Sequence, residues 1–481
     1  MPAKTSVTDD LATPVTRRPV LTSPLRTEAA ARNSGAMRRG LLLATAMVIG
    51  CAAAACADDD DDRDGGVTES DASRDASRPR DASDDTGGDA TVAGGDRDAA
   101  ADEDAAIVDD DAGSDEPPRA VFRPEQRDFS SALLGQLQLQ EGFAIDVFAS
   151  ELVNPRMLAV GPDGSVYVSR PMQNDVLRLI DSDGDGHSDA TSTVVSGIAG
   201  VHGLAIHGAQ IFLAAVTAVH VAPLAGDGTI GTPTVLIGDL PDGGQHPNRT
   251  VAVGPDGKLY VSVGSSCDAC MESNPEHATI LQTALDGSGR RVYARGLRNT
   301  IGFDFHPDDG VLWGSDHGSD WRGNEEPPDE INRVADGADY GWPYCFGARR
   351  ADTVIMPPPN MTTEAYCAMT EPAAFEYEAH SAPIGFVFYD GTQFPEAYRG
   401  DAFVAFRGSW NRYPATGYKV VRVSYAGGAP TSVEDFVTGF LIEDGTAQFA
   451  RLAGVAVASD GALLVSDDAN GIVYRVGYAG N

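Results

Sequence analysis

Beyond about Phe122 the apolar and polar positions alternate over short runs, and Gly, Asp and Pro separate the runs. Helical periodicity is nearly absent, so the pattern predicts strands. One unit recurs: MLAVGPDGSVYVS from Met157, GLAIHGAQIFLA from Gly203, TVAVGPDGKLYVSVG from Thr250, IGFDFHPDDGVLWGS from Ile301, FPEAYRGDAFVAF from Phe394 and LAGVAVASDGALLVSDD from Leu452. Each reads as strand, tight Asp-Gly or Gly turn, strand, which is hairpin chemistry.

A lone hairpin cannot bury its apolar face. Six copies at spacings of about 45–60 residues, with one longer gap of about 90, match the period of a propeller blade. The prediction is an all-β fold, a six-bladed β-propeller, in which radial packing leaves only short sheet edges. Two stacked sandwiches would not require so regular a repeat. The longer gap, between Trp313 and Phe403, is expected to hold loops crossing one face.

Composition divides the chain. Residues 57–118 carry 23 acidic and five basic residues, half of the formal net charge of −36, and open with Asp58 to Asp62. Low hydrophobicity and like-charge repulsion predict a disordered tether. Upstream, Met37-Arg38-Arg39 precedes an apolar run from Leu41 to Ile49 that is too short to span a bilayer. The run ends at Val48-Ile49-Gly50-Cys51, which resembles a bacterial lipobox, and Ala53-Ala54-Ala55-Cys56 is a second candidate. The expected organisation is a signal and lipoprotein leader over 1–56, an acidic linker over 57–118 and the propeller over 119–481. The product would lie outside the cytoplasm, secreted or held to a membrane by lipid alone. The acidic balance excludes nucleic acid as a partner.

Four cysteines remain for the folded part, in a compartment where disulfides persist. The expected pairs are Cys267–Cys270 and Cys345–Cys367. The Cys-x-x-Cys lacks a second close pair for zinc, and Met271 stands where a c-type haem site needs His.

Candidate chemistry lies in loops flanking the repeat units. His246, in GGQHPNR, precedes the third unit and suits a general base near neutral pH. Arg298 and Asn299 precede the fourth unit, and Arg407 and Arg451 flank later ones. Several loop arginines in an acidic protein point to an anionic ligand. Asp316-His317-Gly318-Ser319-Asp320 is an oxygen-rich loop fit for a hard cation. Asp181, Asp183, Asp185 and Asp189, with Gly186 at the sixth place, follow the first half of a calcium-loop spacing. Ser192 replaces the closing Glu, so a structural Ca²⁺ without an EF-hand is expected.

The His246 loop, GSSCDAC, YARGLRNTIGFDFHP, PPDEIN, YGWPYC and RGSWNR occur in one order, and together they resemble the PQQ-dependent soluble sugar dehydrogenases. These are the glucose/sorbosone dehydrogenase family and the related pyranose dehydrogenase propeller domains. The similarity covers about Glu141 to Tyr478. It implies pyrroloquinoline quinone (PQQ) held near the propeller axis, with His246 as base and Arg298 and Ca²⁺ stabilising charge on the reduced quinone. It further implies cofactor contacts from Asn299, Arg407 and Arg451, a stacking role for Trp410, and backbone carbonyls of Gly318 and Ser319 for the Ca²⁺. In glucose-oxidising members an aspartate orients the histidine. Here Ser265 stands in its place, which leaves either Asp268 or another acid for that task, or a weaker base. Arg407 stands where those members have lysine, and the cysteine loop is closer to the sorbosone and pyranose branch.

The expected function is oxidation of an aldose, a pyranose or a sugar aldehyde, with electrons passing to a membrane quinone, a cytochrome or a dye. Two rivals keep the same repeats. A lactonase-type metal hydrolase would need a central divalent metal on side-chain ligands. A non-catalytic surface propeller would bind carbohydrate or protein.

Overall fold

The computed structural model describes residues 121–480. The leader with Cys51 and Cys56, and the acidic linker over 57–118, lie outside the described residues. Among the described residues, no helix is long and apolar enough to cross a membrane.

Six antiparallel sheets follow one another along the chain. Blade one runs from Leu158–Val160 to Ala190–Ser196, blade two from Gly203–His207 to Thr234–Ile237, and blade three from Val251–Val253 to Arg291–Arg295. Blade four comprises Thr300–Phe305, Leu312–Asp316, Asp329–Val334 and Phe375–Tyr377. Blade five comprises Pro383–Phe388, Ala402–Phe406, Lys419–Ala426 and Ala429–Thr438, with Gln138–Leu139 added at its rim. Blade six joins Leu452–Val457, Leu463–Asp467 and Ile472–Tyr478 to Phe143–Ala149, so a strand from the start of the domain closes the last sheet.

The repeated turn follows from its residues. In blade one Asp163 Oδ1 accepts the Ser165 amide at 3.2 Å, and Gly164 takes φ +82°. Asp256 with Gly257, Asp309 with Gly310 and Asp460 with Gly461 repeat this arrangement. The carboxylate closes the turn, and glycine supplies the left-handed residue that a side chain would strain.

Inner strands meet near the axis, where Ile301, Ile384 and Ala453 form a small buried cluster with Met157. A side chain at Gly385 would collide with the Ala453 carbonyl, and one at Gly454 with the Arg156 carbonyl. Glycine therefore sets how closely neighbouring blades approach. Farther out, each interblade seam is apolar. The seam between blades five and six is aromatic, with Phe394, Phe403, Phe436 and Phe449 all buried. Full burial of one such ring contributes roughly 2–3 kcal/mol.

Five of the six repeat units coincide with the first two strands of a blade. The fifth differs. Its inner strand, Pro383–Phe388, lies upstream of Phe394, because the connection carries a 3₁₀ turn at Glu396–Tyr398 where the others have a short Asp-Gly or Gly turn. The long gap holds blade four's outer strands and an insertion with a short helix, Thr363–Cys367. The Cys345–Cys367 disulfide ties that insertion, and Cys267–Cys270 closes the other expected pair.

Candidate active site

In an antiparallel blade, the start of the first strand and the end of the second lie at the same end. Arg156, His202, Arg298-Asn299 and Arg451 precede first strands. Gly264-Ser265, Asp316-His317, Arg407 and Asp467-Asp468 end or follow second strands. The topology thus gathers these residues at one end of the axis.

His246 and Arg298 share one residue, Ser265. The His246 Nδ1 lies 3.0 Å from the Ser265 carbonyl oxygen and 2.8 Å from its hydroxyl oxygen. The Ser265 amide donates to the Arg298 carbonyl at 2.8 Å. The Ser265 hydroxyl donates its own hydrogen to the Cys267 carbonyl at 2.7 Å. Both oxygens facing Nδ1 therefore act as acceptors, which places the proton on Nδ1 and leaves Nε2 as the basic nitrogen. Gly264 separates His246 from Asn299. A Cβ there would stand 2.5 Å from His246 Cβ and 2.8 Å from Asn299 Oδ1, so no larger residue fits.

Asp268, one of the acids expected to orient His246, serves Arg298 instead. Arg298 Nε donates to the Asp268 carbonyl at 2.9 Å, and Nη2 donates to the Asp268 carboxylate at 2.9 Å and to Asp320 at 3.1 Å. Nη1 makes no hydrogen bond to another described residue. Burial alone would lower the guanidinium's pKa, but the charges of Asp320 and Asp268 outweigh it and raise it. Asp320 is pushed upward by burial against the pull of Arg298. Behind this pair, Asp316 accepts the amides of Arg298 and Asn299 at 2.9 Å each and the Thr300 hydroxyl at 2.7 Å. Asp316 is thus the anchor of the Arg-Asn turn.

The expected calcium segment adjoins the same group. Ser319 Oγ donates to the Asp268 carbonyl at 3.4 Å and accepts the Trp342 indole N–H at 3.2 Å. The Gly318 amide donates to Asp329 at 3.2 Å. The carbonyl oxygens of Gly318 and Ser319 accept no hydrogen bond from another described residue. A cavity behind them is lined by Arg298, Glu330, Tyr340, Trp342 and Asp352. Burial, then the charge of Asp316, pushes Glu330 up to about 7.

Across the axis, the Asp468 carboxylate accepts Nη1 of Arg156 at 2.6 Å and also binds Arg407 Nη1. Arg451 Nη2 donates to the Gly408 carbonyl at 3.4 Å, and its amide donates to Asp467 at 2.9 Å. Burial, then Asp468, pushes Asp467 up to about 7. Three buried guanidiniums, of Arg156, Arg407 and Arg451, thus lie beside the Asp467-Asp468 pair.

Trp410 packs edge-on against Trp321 at 5.2 Å, with the Arg123 guanidinium over its ring at 5.6 Å. Phe122 bridges to Asn411 and meets Tyr413. The first described residues therefore lie at the rim of this end.

Of the outlying aspartates, Asp181, Asp183 and Asp189 bring carboxylate oxygens within 4.8 Å of one another. Asp185 turns to His187 instead, at 3.2 Å.

Arg156 and Asp468 were not among the sequence candidates. Arg156 stands immediately before the first unit, as Arg451 does before the last, so position relative to the repeat was a usable signal. Asp468 was visible only as the end of LLVSDD.

The site thus belongs to a six-bladed propeller with an axial mouth that bears arginines and a histidine. A family model described as TrAA12-like matches residues 137–479, and the chain belongs to that family. An uncharacterized protein of Borreliella burgdorferi is 34% identical over 237 residues, which are 48% of this chain and 61% of that protein. The chain therefore spans under two thirds of that relative's length. The holo PQQ domain of pyranose dehydrogenase from Coprinopsis cinerea superposes with a TM-score of 0.61 at 20% identity, covering 74% of this chain and 98% of that one. A calcium structure of the Trichoderma reesei Carbohydrate-Active Enzymes Family AA12 protein gives 0.63 at 19% identity, covering 71% and 97%.

Proposed function

We propose that this protein is a PQQ- and Ca²⁺-dependent sugar dehydrogenase oxidising an aldose, a pyranose or a sugar aldehyde. The observation that carries this reading is the convergence of His246 and Arg298 on Ser265 beside a cluster of arginines. The related pyranose dehydrogenase domain is described as a PQQ domain, and the Trichoderma relative as a calcium structure.

The residues fit the cofactor chemically. A planar quinone carrying three carboxylates needs several cations, and the buried Arg156, Arg407 and Arg451 would supply them. The carbonyls of Gly318 and Ser319 are hard oxygen donors suited to Ca²⁺. Asn299 stands beside His246 and would hold the cofactor edge, and Trp410 would lie at the rim. The chemistry supplied by bound PQQ and Ca²⁺ is acceptance of a hydride and Lewis-acid polarisation of the accepting carbonyl.

The chain supplies the rest. His246 Nε2 takes the proton of the sugar hydroxyl, while Ser265 keeps the opposite nitrogen protonated and the ring fixed. Arg298, clamped through Nε and Nη2, offers Nη1 to developing negative charge without having to reorganise. Electrons leave to a quinone or cytochrome. Two disulfides and the lipobox-like Cys51 and Cys56 support a location outside the cytoplasm, anchored by lipid or secreted.

The test is reconstitution of the purified protein with PQQ and Ca²⁺ and dye reduction over a panel of sugars and lactones. Sugar-dependent reduction that His246→Asn lowers by about 10²–10⁴-fold is expected. Lactone hydrolysis without PQQ, or no turnover of any sugar, would overturn the reading.

A further inference from the structure

Arg249 is completely buried, yet every hydrogen bond of its guanidinium is to a backbone carbonyl. Nη1 reaches the His246 carbonyl at 2.6 Å. Nη2 reaches the Pro241 carbonyl at 3.3 Å and the Asp242 carbonyl at 2.8 Å, and Nε reaches Val216 in blade two at 3.2 Å. Three of the four acceptors belong to the loop that carries His246. Burying a cation without a bonded carboxylate is costly, and a lysine could not reach carbonyls on both sides of the loop. Burial lowers the Arg249 pKa to about 10, partly offset by the distant Asp242 carboxylate, so the group is charged at neutral pH.

The other charged groups around the loop have partners of their own. Glu272 accepts the Ser266 amide and hydroxyl at 2.6 Å each and lies 3.1 Å from His277 Nδ1. The Asp242 carboxylate is solvent-exposed and 3.6 Å from His277 Nε2. Asp268 and Asp320 hold Arg298, Asp316 is bonded by Thr300 and two amides, and His202 Nδ1 meets the Arg249 carbonyl at 3.1 Å. The charge of Arg249 is therefore not cancelled by a bonded carboxylate, and it acts on a histidine whose own carbonyl it grips.

We propose that Arg249 is a positioning residue for His246: it fixes the loop through the histidine's carbonyl, and its buried charge keeps the imidazole neutral, so that Nε2 is basic at neutral pH. This rests on His246 being the base of the proposed reaction. The test is NMR titration of the His246 ring in otherwise wild-type protein, in Arg249→Gln and in Arg249→Lys, with the resonance assigned by its loss in His246→Asn. Arg249→Gln should raise the ring's titration midpoint by about one pH unit. Arg249→Lys should leave it near the wild-type value while kcat falls, and the acid limb of the kcat/KM profile should follow the NMR midpoint in both.

An unmoved midpoint in a folded Arg249→Gln variant overturns the proposal. If that variant does not fold, a midpoint in Arg249→Lys displaced as far as about one pH unit overturns it, because the charge is still present. Full activity in His246→Asn would instead defeat the base assignment and leave the titration comparison standing.

Discussion

Asp268 holds Arg298 with two different oxygens, its carbonyl on Nε and its carboxylate on Nη2, each at 2.9 Å. The same residue sits inside the loop closed by Cys267–Cys270 and accepts the Asp320 amide at 2.7 Å. Removing the carboxylate leaves Arg298 with Asp320 and one carbonyl. Asp268→Ala should therefore lower kcat about 10–100-fold, the cost of a charge-assisted bond, with a smaller change in KM. Steady-state kinetics on reconstituted protein check this, and an unchanged kcat would show that Asp320 alone aims the guanidinium.

The two disulfides should behave differently. The Cys267–Cys270 loop touches Ser265, Arg298 and Ser319, whereas Cys345–Cys367 ties down an insertion. Replacing both Cys267 and Cys270 by Ser should cost activity by about tenfold or more with little loss of melting temperature. Replacing Cys345 and Cys367 should lower the melting temperature, since a longer covalent loop restricts the unfolded chain more. Thermal melts and kinetics on the two double variants separate these outcomes.

Asp467 gives a pH dependence of known sign. The native carboxyl keeps its proton up to about pH 7, while the unfolded one releases it near the ordinary aspartate value of 3.8. Between those values the native state binds more protons, so this group lowers stability as pH rises and the full penalty is present above about pH 7. Asp467→Asn keeps an acceptor for the Arg451 amide but cannot ionise. Denaturant titrations from pH 4 to 8 should show the variant gaining on the wild type with rising pH, by on the order of 4 kcal/mol in all.

The loop over Asp181–Asp189 offers three converging carboxylates, and a hard cation there would relieve their repulsion. Adding millimolar Ca²⁺ to PQQ-free protein should raise the melting temperature by a few degrees, and Asp183→Asn should abolish that rise. Persistence of the full rise in Asp183→Asn would assign the effect to another site.

Much of the architecture was readable because the fold repeats. The Pro-Asp-Gly turns of blades one and three, and the Asp-Gly turns of blades four and six, announce themselves in the residues that close them. Blade five was read out of register because its inner strand is joined by a 3₁₀ turn and lacks that signature. His246, Arg298, Asn299 and Arg451 were legible from their places beside repeat units. The partners were not. Which oxygen meets His246 Nδ1, and that Asp268 turns to Arg298, depend on how the disulfide loop folds back, a long-range contact that no local pattern encodes. Arg249 stood in full view beside His246, but only burial reveals that its neighbours are carbonyls.

The final sheet is stitched from both ends of the domain, with Ile145 opposite Val476 and Val147 opposite Tyr474. Nearly the whole domain must leave the ribosome before that seam can form, so ring closure waits for the C-terminal strand. A pull delivered through the N-terminal side meets the pairings of Phe122, Glu125–Gln126 and Gln138–Leu139 before it reaches this seam. Trimming the C-terminal strand would remove the partner of Phe143–Ala149 and leave the circle open at blade six.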